Sequence, residues 1–169
     1  MYNGEKVSME NISKQRIYEL LRDVKDPEIP VLSLVDLGVI TAVDVVAGHV
    51  TIEMTPTFVG CPALEMMQHD MREVLMKEGI SDVDINISYK RPWNSDMITE
   101  QGRQALRKFG LAPPPARHLF IDLDVLEHVD CPRCGHSNTE LRNTFGPTLC
   151  RSIHYCNDCR EAFEQFKPL

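Results

Sequence analysis

The sequence predicts an α+β domain, a small three-stranded sheet with helices on one face in the order α-β-β-α-β-α, followed by a short cysteine-rich ribbon. Three observations predict it. Apolar residues recur at helical spacing in some segments and alternate at period two in others. The run Leu111-Ala-Pro-Pro-Pro-Ala-Arg117 is a stiff, extended linker between two parts of different composition. Five of the six cysteines crowd into the last 39 residues, four of them as two Cys-x-x-Cys pairs.

The first element spans Asn11 to Val24. Ile17, Leu20, Leu21 and Val24 share a helical face, Asn11 is a suitable N-cap, and Pro27 and Pro30 stop the helix. A loop from Asp26 to Gly38 follows. Val39 to Val46 is apolar and β-branched, hence a strand, and Ala47-Gly48 turns the chain. Val50, Ile52 and Met54 alternate with Thr51 and Glu53, a second strand with one buried face. After the loop Thr55 to Pro62, Pro62 suits the first position of a helix. Leu64, Met67, Met71, Val74 and Leu75 continue that helix at the right spacing, and Gly79 ends it. Val83, Ile85, Ile87 and Tyr89 alternate as a third strand. A loop with Arg91-Pro-Trp-Asn leads to a last helix, Thr99 to Phe109, closed by Gly110; Trp93 suits a core or an interface. The expected organisation is a domain over 10–112, a proline-rich linker and connecting strand over 113–130 (apolar at Leu119, Ile121, Leu123 and Val125), and a ribbon over 131–169.

Composition narrows the function classes. The chain is 43% hydrophobic and 25% charged, with a net charge of −7, as for a globular protein. No apolar run approaches the ~20 residues of a membrane span, and the polar start has no signal-peptide core, so a cytoplasmic location is expected. An acidic chain suits small-molecule or protein partners better than nucleic acid.

The ribbon cysteines are spaced Cys131-x2-Cys134-x21-Cys156-x2-Cys159. Each pair makes a tight knuckle aiming two thiolates at one point, and two facing knuckles complete a tetrahedron. Gly135 supplies the left-handed backbone such a turn requires. A segment this short cannot bury enough apolar surface to fold unaided, so a metal staple is expected. Four thiolates take structural zinc or a rubredoxin-type iron; zinc is favoured because the closed site leaves no open position. Cys150 reads as a small buried residue, and His136 and His154 as surface residues.

Cys61 stands alone in the first part of the chain. Directly before Pro62 it would occupy a helix N-cap, where the dipole and free N–H groups lower a thiol pKa. A buried packing cysteine is the alternative. Asp26, Glu28 and Asp36 lie on the first loop and can approach the same place, although such residues are commonly turn and cap formers. No histidine or asparagine pattern of a cysteine hydrolase accompanies Cys61, so no catalytic residue is assigned.

Two stretches carry a resemblance. Asp26-Pro-Glu-Ile-Pro-Val-Leu-Ser-Leu-Val-Asp-Leu-Gly-Val-Ile40 and Thr55-Pro-Thr-Phe-Val-Gly-Cys-Pro62 resemble the two signatures of the SufT-like iron–sulfur assembly family, the second carrying its reactive cysteine. Trp93-Asn-Ser-Asp-Met-Ile-Thr-Glu100, Phe145-Gly-Pro-Thr-Leu-Cys150 and Phe163-Glu-Gln-Phe-Lys-Pro168 are similar to the PaaD family, accessory components of the phenylacetyl-CoA epoxidase (ring 1,2-phenylacetyl-CoA monooxygenase) system of aerobic phenylacetate catabolism. The resemblance implies a non-enzymatic accessory protein that matures or maintains the iron–sulfur cluster of the reductase component. A structural or rubredoxin-like electron-transfer role within the oxygenase complex is the alternative. The resemblance implies Cys61 as the functional thiol, open to a transient iron or iron–sulfur cluster, with Asp26, Glu28, Asp36, Thr55 and Thr57 as supporting loop residues. The epoxidase components are the implied partners, and a homodimer remains open.

Overall fold

The computed structural model describes residues 12–115 and 129–168. Asn11 and the apolar residues Leu119 to Val125 lie outside the described residues. The chain divides into two units, Met1–Pro92 and Trp93–Leu169.

In the first unit, helix α1 spans Lys14–Leu21 and buries Ile17, Leu20 and Leu21. Its N-cap is Ser13, whose hydroxyl accepts the Arg16 N–H at 3.2 Å. The helix ends before the prolines are reached, and Val24 is buried in the turns that follow. The expected loop from Asp26 to Gly38 contains a one-turn helix, α2 (Leu34–Leu37), capped by Ser33 and closed by Gly38 at φ +77°. Four residues are too few to show a helical period, but Ser before and Gly after are its start and stop signals.

Strand β1 (Ile40–Val46) pairs antiparallel with β2 (His49–Met54) through Ala47-Gly48, both at positive φ, 50° and 86°. That is the tight hairpin turn whose twist matches its strands. Helix α3 (Leu64–Lys77) then carries the chain back, so that β3 (Val83–Ile87) pairs parallel with β2 in the order β1-β2-β3. Val50, Ile52 and Met54 on one face of β2 are wholly buried, as are Met71 and Leu75 of α3 and Ile17 and Leu21 of α1. Each fully buried aliphatic side chain stabilises by roughly 1.5–3 kcal/mol, so this face holds the domain together.

The second unit begins at Trp93, whose ring lies 5.7 Å from that of Phe166 at 60°. A 3-10 turn (Ser95–Met97) leads to helix α4 (Glu100–Phe109), capped by Thr99 and closed by Gly110 at φ +89°. Strand β4 (Leu111–Ala112) then pairs parallel with β7 (Ala162–Phe166). β5 (Thr139–Asn143) and β6 (Arg151–Cys156) complete a four-stranded sheet in the order β4-β7-β6-β5. The boundary therefore falls between Pro92 and Trp93 rather than after Ala112, because β4, directly after the last expected helix, joins the ribbon's sheet and that helix falls in the same unit. The buried Arg103 guanidinium ties α4 in place, donating to the Ser95 carbonyl at 2.7 Å and to the Pro114 carbonyl. Among the described residues, no helix is long and apolar enough to cross a membrane.

Candidate functional site

The ribbon's four cysteines converge. Cys131 and Cys134 flank a turn closed by Gly135 N–H to the Cys131 carbonyl at 2.9 Å, with Gly135 at φ +77°. Cys156 and Cys159 flank the turn between β6 and β7, where Arg160 takes the equivalent backbone at φ +60°. All four sulfurs lie within 4.8 Å of one another. Cys131 and Cys159 Sγ are 3.7 Å apart, Cys134 and Cys156 Sγ 3.5 Å. A metal at about 2.3 Å from each of four sulfurs requires tetrahedral edges of about 3.8 Å, whereas a disulfide needs about 2.05 Å. The spacing fits a four-thiolate metal site and no disulfide.

The thiols also show why a cation belongs among them. The N–H of Cys159 helps hold the Cys156 thiol down at about 7, against burial, and the Asp158 N–H and neighbouring sulfurs assist. Burial and the other three sulfurs push Cys159 up to about 12. Four sulfurs this close cannot all ionise without a positive charge between them. Cys131 and Cys156 are buried with Ala112, Val129 and Phe163, so the site is part of the unit's core.

The spare residues differ from expectation in part. His136 is exposed. His154 is fully buried on β6, its ring stacked on Phe163 at 5.4 Å and its Nε2 at 2.9 Å from Ser152 Oγ. Burial lowers its pKa and keeps the imidazole neutral. The alternation Ser152, His154, Cys156 puts all three on one sheet face, a signal the sequence carries. Cys150 is half-buried, 3.1 Å from Thr148 Oγ1.

In the first unit, Cys61 is half-buried in a turn closed by its own N–H to the Phe58 carbonyl at 3.2 Å. It is not an N-cap. Pro62 and Ala63 make a further turn, α3 starts at Leu64, and its N-cap is Ala63. Burial pushes the Cys61 thiol up, and the Asp26 and Glu28 carboxylates push it further; the Ala63 N–H opposes them and loses. The expected low-pKa thiolate is thus corrected: two carboxylates and desolvation outweigh one backbone donor.

The Asp26 and Glu28 carboxylates lie within electrostatic reach of Cys61, and the loop residues also have structural tasks. Asp26 Oδ1 accepts the N–H groups of Glu28 and Ile29, both at 2.9 Å, which fixes the loop. Asp36 accepts the Ser33 hydroxyl at 2.6 Å and the Arg22 guanidinium at 2.8 Å. Thr55 is buried, with its N–H on the Val39 carbonyl at 2.8 Å, and Thr57 is half-buried. Phe58 and Val59, which carry no motif signal of their own, are exposed beside the thiol. On α3, His69, Asp70 and Glu73 bring donor atoms within 4.8 Å of one another, but Glu73 is held by Lys77 at 2.8 Å on an exposed face.

An α+β domain presenting one loop cysteine, joined to a four-cysteine metal ribbon, is the class that fold and site define. Residues 14–87 match the iron–sulfur cluster assembly protein family, and residues 120–167 match the PaaD zinc beta ribbon domain. The chain is 36% identical over 151 residues to an Escherichia coli K12 protein provisionally named as the D component of 1,2-phenylacetyl-CoA epoxidase, covering 89% of this chain and 90% of that one. It therefore belongs to the family of that epoxidase component. It is also 42% identical over 91 residues to an Fe-S protein maturation auxiliary factor of Porphyromonas gingivalis W83, covering 53% of this chain and 86% of that one. A solved domain of unknown function from Bacillus anthracis superposes with a TM-score of 0.52 at 26% identity, over 55% of this chain and 90% of that one.

Proposed function

We propose that this chain is a cytoplasmic, non-enzymatic accessory protein of a phenylacetyl-CoA epoxidase system that matures or maintains the iron–sulfur cluster of its reductase component. The observation that carries the reading is Cys61, one half-buried thiol on a turn within electrostatic reach of the carboxylates of Asp26 and Glu28. Those carboxylates disfavour a free thiolate and favour an arriving iron cation. Iron, as cargo, displaces the thiol proton: an S–Fe bond forms, the S–H bond breaks, and the proton leaves to water. A thiol held protonated until metal arrives suits transient loading and release better than permanent ligation. The relatives that match the first unit are named maturation factors, which supports the same direction.

The ribbon holds zinc as a structural ion in this reading. Cys131, Cys134, Cys156 and Cys159 fill a closed tetrahedron, so no position is left for a reactant. The experiment that tests the function is iron and acid-labile sulfide analysis of the epoxidase reductase produced with and without this protein. A cluster-deficient reductase in its absence is expected; full occupancy would contradict the proposal.

A further inference from the structure

The turn that presents Cys61 also presents apolar side chains to solvent. Val59 is 74% exposed and Phe58 42%, two consecutive large apolar residues. Gly60 follows at φ +94°, and a Cβ placed there would meet no atom within 4 Å, so the chain at Gly60 borders open space. Single exposed apolar residues need no explanation, but two consecutive ones in the turn that carries the thiol mark a surface that another protein covers.

Charge says what kind of protein. The Asp26 and Glu28 carboxylates lie within electrostatic reach of Cys61. Residues 1–92 hold fifteen Asp and Glu against nine Lys and Arg, so nearly all the chain's negative excess lies in this unit. A second copy would set these carboxylates against themselves, and like-charge juxtaposition opposes that occupant. Nucleic acid is repelled for the same reason.

We propose that Phe58 and Val59, edged by Asp26 and Glu28, form the docking surface through which Cys61 reaches a client protein, and that the client's facing surface is apolar at its centre and basic at its rim. This rests on the maturation reading and adds the surface and the partner's chemistry. The apolar pair excludes water as the thiol meets the client's metal-binding side chains. The acidic edge steers approach and fixes orientation.

The test uses the full chain with purified, cluster-free epoxidase reductase as the probe, followed by interferometry at about 50 and about 300 mM salt. The Phe58→Ser/Val59→Ser double variant should bind about tenfold or more weakly. Glu28→Lys should bind several-fold more weakly and lose most of the salt dependence of the wild type. Both should keep the parent's melting temperature and ribbon metal. Wild-type affinity in both variants, while the wild-type chain still restores the reductase cluster, would overturn the docking surface and leave the maturation reading standing. Failure of the wild type to bind, with reductase clusters independent of the chain, would overturn both. Self-association of the chain that the double variant abolishes would also overturn the proposal, because the occupant would then be a second copy.

Discussion

Replacing Cys131 with Ser should unfold the second unit from Trp93 onward, not only the segment after the linker. Ligation in small thiolate sites supplies about 10 kcal/mol or more of folding free energy, whereas the apolar core of so small a unit rarely supplies more than ~3–5 kcal/mol. The loss exceeds what the rest of the unit holds. It reaches α4 because β4, directly after that helix, pairs with β7, and because Trp93 packs on Phe166. Arg103 adds its two carbonyl contacts within the same unit. Hydrogen exchange read by mass spectrometry gives the answer element by element. In Cys131→Ser, or after metal chelation, amides of Glu100–Phe109 and of Arg151–Cys156 should lose protection together while those of Leu64–Lys77 keep it. Full protection of α4 alongside an unprotected β6 would refute the assignment of α4 to the ribbon's unit and the energetic argument built on it.

Asp36→Ala should cost about 2 kcal/mol in urea melts of the first unit, from a half-screened ion pair with Arg22 and a short hydrogen bond from Ser33; an unchanged midpoint would mean the carboxylate does no structural work. Cys61 should react with iodoacetamide at pH 7 more slowly than a model thiol, because its pKa is raised, and Glu28→Gln should speed it; faster labelling than the model thiol would restore the N-cap picture. His49, with Nδ1 2.9 Å from Asp82 and Nε2 3.4 Å from Asp84, should titrate above its usual 6.5, first because of the Asp82 hydrogen bond. A raised folded pKa means that its stabilising contribution is complete below the unfolded value and is lost as pH rises through the folded one. An NMR midpoint at or below 6.5 would contradict the pairing.

The metal centre is legible in the sequence because Cys-x-x-Cys geometry is local and a Gly follows the first knuckle. The alternation through Val50, Ile52 and Met54 and the helix stop at Gly110 are legible for the same reason: each signal lies within a few residues. The features that local pattern misses depend on distant partners. β4 is two residues long and becomes a strand only because Glu164 and Gln165 lie beside it, so local pattern leaves it in a linker. Pro62 favours a first helical position and so suggests an early start for α3, yet here it sits in a turn with Ala63 as the cap. The sign of the Cys61 shift depends on that start and on the approach of Asp26 and Glu28, which no local pattern reveals. Residue type alone puts His154 at the surface, although its alternation with Ser152 and Cys156 places it inward.

The most direct test of the account is the iron and acid-labile sulfide content of the epoxidase reductase isolated from cells that carry Cys61→Ala in place of the wild-type chain. Losing a half-buried thiol costs the domain only about 1 kcal/mol, too little to unfold it, so fold and ribbon metal should be unchanged. The account predicts a reductase depleted of its cluster, with the oxygenase component normally folded. A reductase with wild-type iron and sulfide in that strain would contradict it and leave Cys61 as a packing residue.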